Sequence, residues 1–448
     1  MQRFQEPHCD ILGIGIGPFN LGLAALCQPI TSLKALFVDK RPEFNWHAGM
    51  LLYGAKLQVP YLADLVTLVD PCSPFSFINY MHKTERLFHF CIKEDIFISR
   101  REYNDYCRWV ATQLPSCRFG NQLQSIRFRK ADQIYEADLR ESTGKTTTVT
   151  TKKIVLGIGS TPNLPYFCSE LPADKVFHSA EYTIRRETIR AGTSVTVVGS
   201  GQSAAEIFHD LLGRIQTDDL QLNWISRSDR FYPMEYSKLT LELTSPDYVD
   251  YFYGLTAARK SRVLAGQSNF YRGINFDLIN TIYDELYSLS IGGESIPVTI
   301  RPACEVLDIR REGDRFILSL QEVHQGRSFE QATDIVILAT GYKYEVPAFL
   351  DPIRERIRWD QHERFDVHRN YAIDHAGTEI FVQNAELHTH GFVAPDLGMG
   401  PYRNAWILKE ILGFEYYPIS KRIAFQSFGA PGEPSAQELE PLITESAK

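Results

Sequence analysis

Two glycine-rich turns constrain this chain more than any other feature of its sequence. Residues 13–20 follow an apolar run that begins at Asp10, and residues 199–204 follow the apolar run 194–198. A glycine-rich turn between a strand and a helix lets the backbone approach a pyrophosphate at the helix N-terminus. One such turn indicates a dinucleotide site. Two indicate a protein that holds a flavin and a nicotinamide together, so that electrons pass between them.

The composition excludes several other classes of function. The chain has 448 residues and a formal net charge of -8, so it lacks the basic excess that a nucleic-acid partner requires. No apolar run approaches the roughly 20 residues of a membrane span, and residues 5–10 are polar where a signal peptide is apolar. The eight cysteines form no C-x-x-C pair, which favours free thiols in the cytoplasm and argues against a disulfide reductase.

The length and the order of apolar runs predict an α/β fold with two Rossmann-like dinucleotide-binding domains and a smaller, mostly helical substrate domain. The substrate domain is expected at residues 231–290, where the strand–helix–strand rhythm stops. The other expected boundaries are an FAD-binding domain over 1–165 and 335–430, an NADPH-binding domain over 166–230 and 291–334, and a disordered tail over 431–448.

The first turn is assigned to the flavin. Gly15 permits the tight turn and Gly17 lets the backbone approach the pyrophosphate, while Asp39 ends the next strand, where a carboxylate accepts hydrogen bonds from ribose hydroxyls. Asn20 stands where the fingerprint has its third glycine. The competing interpretation is a glycine turn that binds no nucleotide. The predicted cofactor-binding residues of this turn and strand are Gly13, Gly15, Gly17, Pro18, Asn20 and Asp39.

The second turn is assigned to NADPH. The strand that follows it, residues 220–226, ends at Arg227, and a basic residue there binds the 2′-phosphate that an acidic residue would repel. The alternative is that Arg227 is a solvated surface charge. The predicted nicotinamide-binding residues are Gly199, Gly201, Gln202, Ser203 and Arg227.

A third signal lies at the end of the apolar run 334–339. Thr340, Gly341 and Tyr342 follow this run, and a buried strand with such an end lets the chain pass close to a bound flavin. With the two turns in this order, the sequence predicts a flavoprotein that binds two dinucleotides.

Further segments extend the pattern over nearly the whole chain. They are residues 15–20, 44–50, 57–65, 74–80, 100–106, 199–203, 339–342 and 388–391. With these segments the chain resembles the microbial N-hydroxylating flavin monooxygenases of hydroxamate siderophore synthesis. Members of that family hydroxylate the side-chain amine of ornithine or lysine, and a sister group hydroxylates free diamines. The resemblance runs from Asp10 to about Leu412.

The resemblance implies a cofactor chemistry and an assembly. NADPH reduces FAD, the reduced flavin and O₂ form a C4a-hydroperoxide, and the neutral amine of the substrate takes its distal oxygen. Gln58 is implied to lie near the flavin ring, with Trp46 and His47 lining it as catalytic residues and Leu397 as a cofactor contact. The alternative for Trp46 and His47 is core packing of an aromatic loop. The family also implies a homotetramer.

The chain departs from the amino-acid hydroxylases at two positions. Those enzymes have a lysine and a serine that bind the substrate's α-carboxylate, and this chain has Ala63 and Gly398 there. A carboxylate without a charge partner costs binding free energy, so we expect a substrate without one, putrescine or cadaverine. The expected substrate contacts are Ala63, Gly398 and, as acceptors for the distal ammonium, Asp64, Glu235, Asn269 and Asn275.

Two alternatives remain open at this point. Another basic residue, Lys56 or Arg272, could replace the missing lysine and restore lysine or ornithine as the substrate. The chain could also be a flavin reductase or oxidase whose NADPH oxidation is not coupled to hydroxylation.

Overall fold

The computed structural model describes residues 8–293 and 295–431. The tail that the sequence predicts over 431–448 lies outside the described residues, apart from Pro431. The strands are β1 (His8–Ile14), β2 (Ala35–Asp39), β3 (Lys56–Pro60), β4 (Phe97–Ser99), β5 (Cys117–Phe119), β6 (Asn121–Arg129), β7 (Ile134–Glu141), β8 (Thr146–Leu156), β9 (Thr161–Pro162), β10 (Val176–His178), β11 (Ser194–Val198), β12 (Gln221–Ile225), β13 (Val298–Arg301), β14 (Cys304–Glu312), β15 (Arg315–Glu322), β16 (Arg327–Thr333), β17 (Ile335–Leu338), β18 (Tyr342–Lys343) and β19 (Ile380–Val382).

Helices cover the sheets and fill the middle of the chain. They are α1 (Pro18–Cys27), α2 (Phe77–Lys83), α3 (Leu87–Lys93), α4 (Arg100–Gln113), α5 (Tyr182–Arg185), α6 (Gln202–Leu212), α7 (Ile215–Asp218), α8 (Lys238–Leu241), α9 (Pro246–Gly254), α10 (Ala257–Gly266), α11 (Asn269–Arg272), α12 (Phe276–Leu289), α13 (Leu387–His390) and α14 (Met399–Leu412). None of the helices described is long and apolar enough to cross a membrane.

The first sheet contains the first glycine turn. Its order is β5-β2-β1-β8-β7-β6, and β19 also pairs with β8. The strands β2, β1 and β8 run parallel, so β1, α1 and β2 form the βαβ unit that the sequence predicts. The strand β19 joins the sheet from the C-terminal part of the chain, through Ile380 opposite Ile154.

The second sheet contains the second glycine turn. Its order is β10-β17-β11-β12-β13, and the pairs in it are parallel. The helix α6 connects β11 to β12, which makes the second βαβ unit. The predicted fold class, α/β with two Rossmann-like units, is confirmed. Residues 231–290 are mostly helical, as the loss of strand–helix–strand rhythm predicts, and contain α8 to α12.

The helix α4 shows how local sequence produces these elements. The Ser99 side chain caps it by accepting a hydrogen bond from the backbone N–H of Glu102 (3.1 Å). Its buried face repeats at helical spacing through Tyr103, Tyr106 and Val110. This face packs in the core around the first sheet and supports the aromatic loop that precedes it.

The helix α14 lies in the interior and holds a buried ion pair. Arg403 in α14 is 2% exposed and donates to the carboxylate of Glu386, which is fully buried. The guanidinium also donates to the carbonyl of Ala394 (3.0 Å) and lies 4.3 Å from the ring centroid of Phe19 in α1. These contacts fix α14 against the helix that follows the first glycine turn.

We expect Glu386→Gln to lower the free energy of unfolding by about 3–5 kcal/mol, because Arg403 would keep a buried charge without a carboxylate partner. The measurement is urea unfolding of the purified protein. The double variant Glu386→Gln/Arg403→Met removes both charges and is expected to regain part of that loss. A Glu386→Gln protein with the wild-type unfolding midpoint would contradict the prediction.

Candidate active site

The first glycine turn places an open backbone edge at the N-terminus of α1. Gly15 has φ +83, and a Cβ there would lie 2.5 Å from the carbonyl oxygen of Gly157, so only glycine fits. Gly17 is the N-cap of α1 and Pro18 its first residue. A Cβ built on Gly17 meets no described protein atom within 4 Å. This edge therefore combines free N–H groups with room for a pyrophosphate.

Two residues of the first turn support it from behind. The Asn20 side chain is fully buried, and its amide group donates to the carbonyl of Gly15 (2.8 Å) and accepts from Gln383 (2.6 Å). A Cβ on Gly13 would lie 2.0 Å from the ring of Phe37. Asn20 thus ties the turn to neighbouring chain, and Gly13 makes room for strand packing; a cofactor contact of either residue stays a prediction.

Asp39 lies where the sequence predicts, beneath the first turn. Its carboxylate accepts from the backbone N–H of Ile16 (2.8 Å) and from the guanidinium of Arg41 (2.7 Å). Burial acts to raise the pKa of Asp39, but the hydrogen bonds and charge of Arg41 outweigh it and hold that pKa below its ordinary value. Both carboxylate oxygens already have donors, so the ribose contact of Asp39 stays a prediction.

The second glycine turn repeats this geometry before α6. Gly199 has φ +143, and a Cβ there would lie 2.3 Å from the carbonyl oxygen of Ala339. Gly201 is the N-cap of α6, and Gln202 and Ser203 are its first residues. Arg227 follows β12, is exposed, and its guanidinium lies 3.4 Å from the carboxylate of Glu305.

The segment after β17 crosses between the two units. The Thr340 hydroxyl donates to the carbonyl of Asn163 (2.6 Å), and the Gly341 carbonyl lies 2.9 Å from Nε2 of His178. The Tyr342 ring lies between two histidines, with its centroid 5.1 Å from that of His178 and 5.8 Å from that of His47. This crossing brings Tyr342 to the aromatic loop of the first unit.

A polar cluster joins the two units. Arg100 at the start of α4 binds Glu206 in α6 through two hydrogen bonds of 2.7 and 2.8 Å. The Gln202 side chain donates to Glu206 (2.8 Å) and accepts from Gln58 (3.0 Å) and from the backbone N–H of Asn275 (2.7 Å). Gln58, predicted to lie near the flavin, is thereby fixed to the start of α6.

A cavity of about 330 Å³ lies beside this cluster. Its lining brings together seven residues that the sequence predicts as site residues: Trp46, His47, Gln58, Ser203, Glu235, Tyr342 and Leu397. The remaining lining residues come from Met50, Leu57, Val59 and Arg100, from residues 234–244, from Phe270 and Tyr271, and from residues 392–396. The cavity is thus shared by both glycine-turn units and the helical region.

His47 has an unusual backbone and a neutral ring. Its φ is 50, in the left-handed region, and its ring centroid lies 4.6 Å from that of Trp46. The residue is exposed, and its ring opens onto the cavity. Desolvation, with the charges of Arg100 and Arg41, lowers the pKa of His47 to about 4. The imidazole is therefore uncharged at neutral pH.

Ala63 and Gly398, the two departures from the amino-acid hydroxylases, lie side by side. A Cβ built on Gly398 would lie 3.5 Å from the Cβ of Ala63 and 3.1 Å from Oδ1 of Asp396. Gly398 is the N-cap of α14, directly after Leu397 of the cavity lining. The two positions therefore form one small region next to the cavity, as expected if both contact the same end of a substrate.

The three predicted acceptors Asp64, Asn269 and Asn275 do not face the cavity. Asp64 is 2% exposed, and its carboxylate accepts from the backbone N–H groups of Val66 (2.9 Å) and Phe77 (2.6 Å). These donors and the Thr67 hydroxyl occupy its carboxylate, so the structure does not support Asp64 as a substrate residue.

The two asparagines have other positions. The Asn275 side chain caps α12 by accepting from the N–H of Leu278 (3.2 Å). Asn269 begins α11, and its neighbours Phe270 and Tyr271, rather than Asn269 itself, line the cavity. Neither asparagine side chain is therefore supported as an acceptor for a bound ammonium.

The carboxylates that do line the cavity are Glu235 and Asp396. Asp396 was missed from the sequence: its Oδ1 accepts from the N–H of Met399 (3.1 Å) at the start of α14. Desolvation raises the pKa of Asp396. The hydroxyl of Tyr236, another lining residue, is buried and has no hydrogen-bond partner among the described residues. The sequence signal for Asp396 is its place two residues before Gly398, the N-cap glycine of α14.

Lys56 and Arg272, the basic residues that could replace the missing lysine, have other partners and do not line the cavity. Lys56 forms an ion pair with Asp95 (2.6 Å) on the surface. Arg272 is exposed and packs over the Tyr271 ring, with its guanidinium carbon 5.2 Å from the centroid. Neither side chain lines the cavity. The structure therefore does not support either residue as a replacement for the missing lysine.

Known proteins are similar to this chain over most of its length. The sequence model of the L-lysine 6-monooxygenase/L-ornithine 5-monooxygenase family matches residues 7–344. A putrescine N-hydroxylase of Shewanella oneidensis is 46% identical over 434 residues, which cover 97% of this chain and 86% of that protein.

Two solved structures are also similar. One is the FAD-bound cadaverine monooxygenase of the desferrioxamine biosynthetic pathway from Erwinia amylovora, with a TM-score of 0.93 and 46% identity over 96% of this chain and all of that one (100%). The other is an ornithine N-hydroxylase of Kutzneria sp. 744 with reduced FAD, NADP⁺ and L-ornithine, with a TM-score of 0.84 and 26% identity over 91% of this chain and 99% of that one.

We expect the low pKa of His47, about 4 against an ordinary 6.5, to appear in the pH dependence of stability. Because the pKa of His47 is lower in the folded state than in the unfolded state, the neutral ring stabilises the folded protein at pH values above the unfolded-state pKa. This contribution is lost as pH falls from 6.5 towards 4. The measurement compares urea unfolding of wild type with His47→Asn, since asparagine tolerates a left-handed backbone. The difference between their free energies of unfolding should be constant above about pH 7, and wild type should lose stability relative to His47→Asn at lower pH. A constant difference from pH 7 down to about 4 would exclude the shift.

Proposed function

This chain belongs to the L-lysine 6-monooxygenase/L-ornithine 5-monooxygenase family, and from that premise we propose that it hydroxylates one terminal amine of an aliphatic diamine, putrescine or cadaverine. The proposed reaction uses FAD, NADPH and O₂ and is an early step of hydroxamate siderophore biosynthesis. The putrescine and cadaverine hydroxylases that the chain resembles at 46% identity support this substrate class.

The first glycine turn fits FAD. Gly15 permits the tight turn, and Gly17 is open on the side of α1's N-terminus, where the first N–H groups of the helix have no intrahelical acceptor. Pro18 contributes its fixed backbone, and Leu397, Thr340 and Gly341 are proposed contacts of the same cofactor. FAD reduced by NADPH supplies the chemistry that transfers one oxygen atom of O₂ to nitrogen.

The second glycine turn fits NADPH. Gly199 permits the tight turn, Gly201 is the N-cap of α6, and Gln202 and Ser203 begin the helix. Arg227 is exposed at the end of β12, and we assign it to the 2′-phosphate. Because Ser203 also lines the cavity, the nicotinamide half of the site reaches the space where the amine is proposed to bind.

The charges of the cavity carry the choice of a diamine. Among the described lining residues the charged side chains are Arg100, Glu235 and Asp396, and Arg100 is paired with Glu206. An amino-acid carboxylate would meet two carboxylates and no unpaired cation. An ammonium group would meet Asp396 on one wall and Glu235 on another, so the arrangement attracts the distal nitrogen of a diamine.

The protein's own residues orient the other nitrogen. It must lose its proton before it reacts, and free amines of this kind have a pKa of about 10.4. The apolar lining residues Trp46, Leu57 and Phe392 favour the neutral form of the amine. The His47 ring is uncharged, so it does not attract water to this part of the cavity. Gln58, held by Gln202, offers an amide for positioning.

The same proposal covers organisation and location. We assign residues 1–165 and 335–430 to an FAD domain, 166–230 and 291–334 to an NADPH domain, and 231–290 to the substrate region. A cytoplasmic location is supported by the eight cysteines, which are all free. A homotetramer is part of the proposal by family resemblance alone.

We expect putrescine or cadaverine to exceed both lysine and ornithine in kcat/KM by at least about tenfold, the ratio that ~1.4 kcal/mol of binding free energy gives. The measurement is hydroxylamine formed per NADPH oxidised, with each of the four amines. Lysine or ornithine exceeding both diamines would overturn the diamine assignment. NADPH oxidation without hydroxylamine from any amine would indicate an oxidase instead.

We expect Asp396→Asn to raise KM for the diamine roughly 10- to 100-fold, because a charged hydrogen bond contributes about 1.5–3 kcal/mol. Reduction of the flavin by NADPH should stay at the wild-type rate. The matched variant Asp64→Asn should lower stability and leave KM near wild type, since Asp64 binds backbone N–H groups away from the cavity. The reverse pattern would return the substrate role to Asp64.

A further inference from the structure

A segment near the C-terminus crosses the outside of the helical region. We call residues 423–428 the C-terminal strap. Two carboxylates hold its backbone: Glu242 accepts from the N–H groups of Phe425 (2.8 Å) and Gln426 (3.0 Å). Asp247, in the first turn of α9, accepts from Ile423 (2.9 Å) and from the next residue. The strap is thus fastened at both ends of the segment that joins α8 to α9.

Side chains of the strap add two further attachments. Gln426 donates from Nε2 to the carbonyl of Leu239 in α8 (2.6 Å). The Phe428 ring packs on α9, with its centroid 5.2 Å from that of Tyr248 and 6.1 Å from that of Tyr251. The strap therefore contacts α8 through a hydrogen bond, and α9 through both hydrogen bonds to Asp247 and aromatic packing.

The helix α8 has little packing of its own. It spans four residues and contains no buried side chain, and Leu239 and Leu241 are 65% and 46% exposed. Thr240, Leu241 and Thr244 nevertheless line the cavity. A helix this short is not stable by itself, so its position depends on the contacts that hold it from outside.

The aromatic packing also reaches the cavity. The Tyr248 ring lies 6.0 Å from that of Phe392, and Phe392 lies 5.4 Å from Phe270, and both phenylalanines line the cavity. The strap therefore supports two neighbouring walls, one formed by α8 and one by this aromatic cluster, while none of its own residues lines the cavity.

We propose that Glu242 is a positioning residue for the amine reaction: by fastening the C-terminal strap it holds α8 over the cavity and keeps water out. The inference rests on the proposed function, since it takes the amine to bind in this cavity. When the strap is released, α8 moves away and the amine binds more weakly. Reduced flavin and O₂ then give hydrogen peroxide and oxidised flavin instead of hydroxylamine. Among the described residues, the strap's hydrogen bonds and ring contacts go to Leu239, Glu242, Asp247, Tyr248 and Tyr251 and not to the nucleotide turns, so we expect flavin reduction to be unaffected.

The test is Glu242→Ala in the full-length, FAD-loaded enzyme. We expect KM for the diamine to rise roughly tenfold, as for loss of a charged hydrogen bond. The amount of hydrogen peroxide formed per NADPH oxidised should also rise. The rate of flavin reduction by NADPH should stay within about twofold. Glu242→Gln keeps one acceptor oxygen and should lie between. The exposed Glu170→Ala is the matched control and should equal wild type.

A second variant and a second readout separate positioning from general stability. Phe428→Ala should act in the same direction, and Glu242→Ala/Phe428→Ala should cause less than the sum of the two effects, because both release one segment. Hydrogen exchange of the backbone in residues 238–244 should accelerate in each variant while that of β1 stays unchanged.

Two outcomes overturn the inference in distinguishable ways. If wild type hydroxylates a diamine and Glu242→Ala matches its KM and peroxide fraction, the strap does not position the site, whatever its exchange rates. If wild type forms no hydroxylamine from any diamine, the proposed function fails and takes this inference with it.

Discussion

The ion pair between Arg100 and Glu206 is the interaction on which the geometry of the cavity depends. Arg100 belongs to the unit of the first sheet and Glu206 to the helix after the second glycine turn. A bidentate pair fixes both the distance and the orientation of its partners. Gln202 extends the pair to Gln58 and to the backbone of Asn275, so one polar cluster relates three parts of the chain. Because the pair is largely withdrawn from water, separating it would leave two poorly solvated charges.

The same pair decides which charge a substrate meets. With Arg100 neutralised by Glu206, the carboxylates of Glu235 and Asp396 set the sign of the field in the cavity. A diamine has two chemically equal ends that need opposite treatment, since one nitrogen binds as an ammonium and the other reacts as a free amine. The lining carboxylates attract the ammonium end, while the apolar lining residues and the neutral His47 favour the free amine.

The sequence predicts the cofactor half of the site better than the substrate half. Gly15 and Gly199 have backbone conformations that only glycine adopts easily, so their role is encoded locally. Ala63 and Gly398 are informative by what they lack, and they lie together. The sequence indicates Asp64 and not Asp396, because the difference between them is tertiary: loop N–H groups occupy Asp64, whereas Asp396 lies at the cavity, directly before α14. The packing role of Asn20 is tertiary as well, since its partner Gln383 is distant in sequence.

The pairing of β19 with β8 has a consequence for the order in which the chain folds. The first sheet receives this strand only at Ile380–Val382, after β11 to β13 and the helices between them have been synthesised. During translation the second sheet can therefore be completed while the first still has an open edge beside β8. Long-range closure of this kind is slow and leaves strand edges exposed. The sheet that starts first finishes last, and the nascent chain depends on its late segments to protect its early ones.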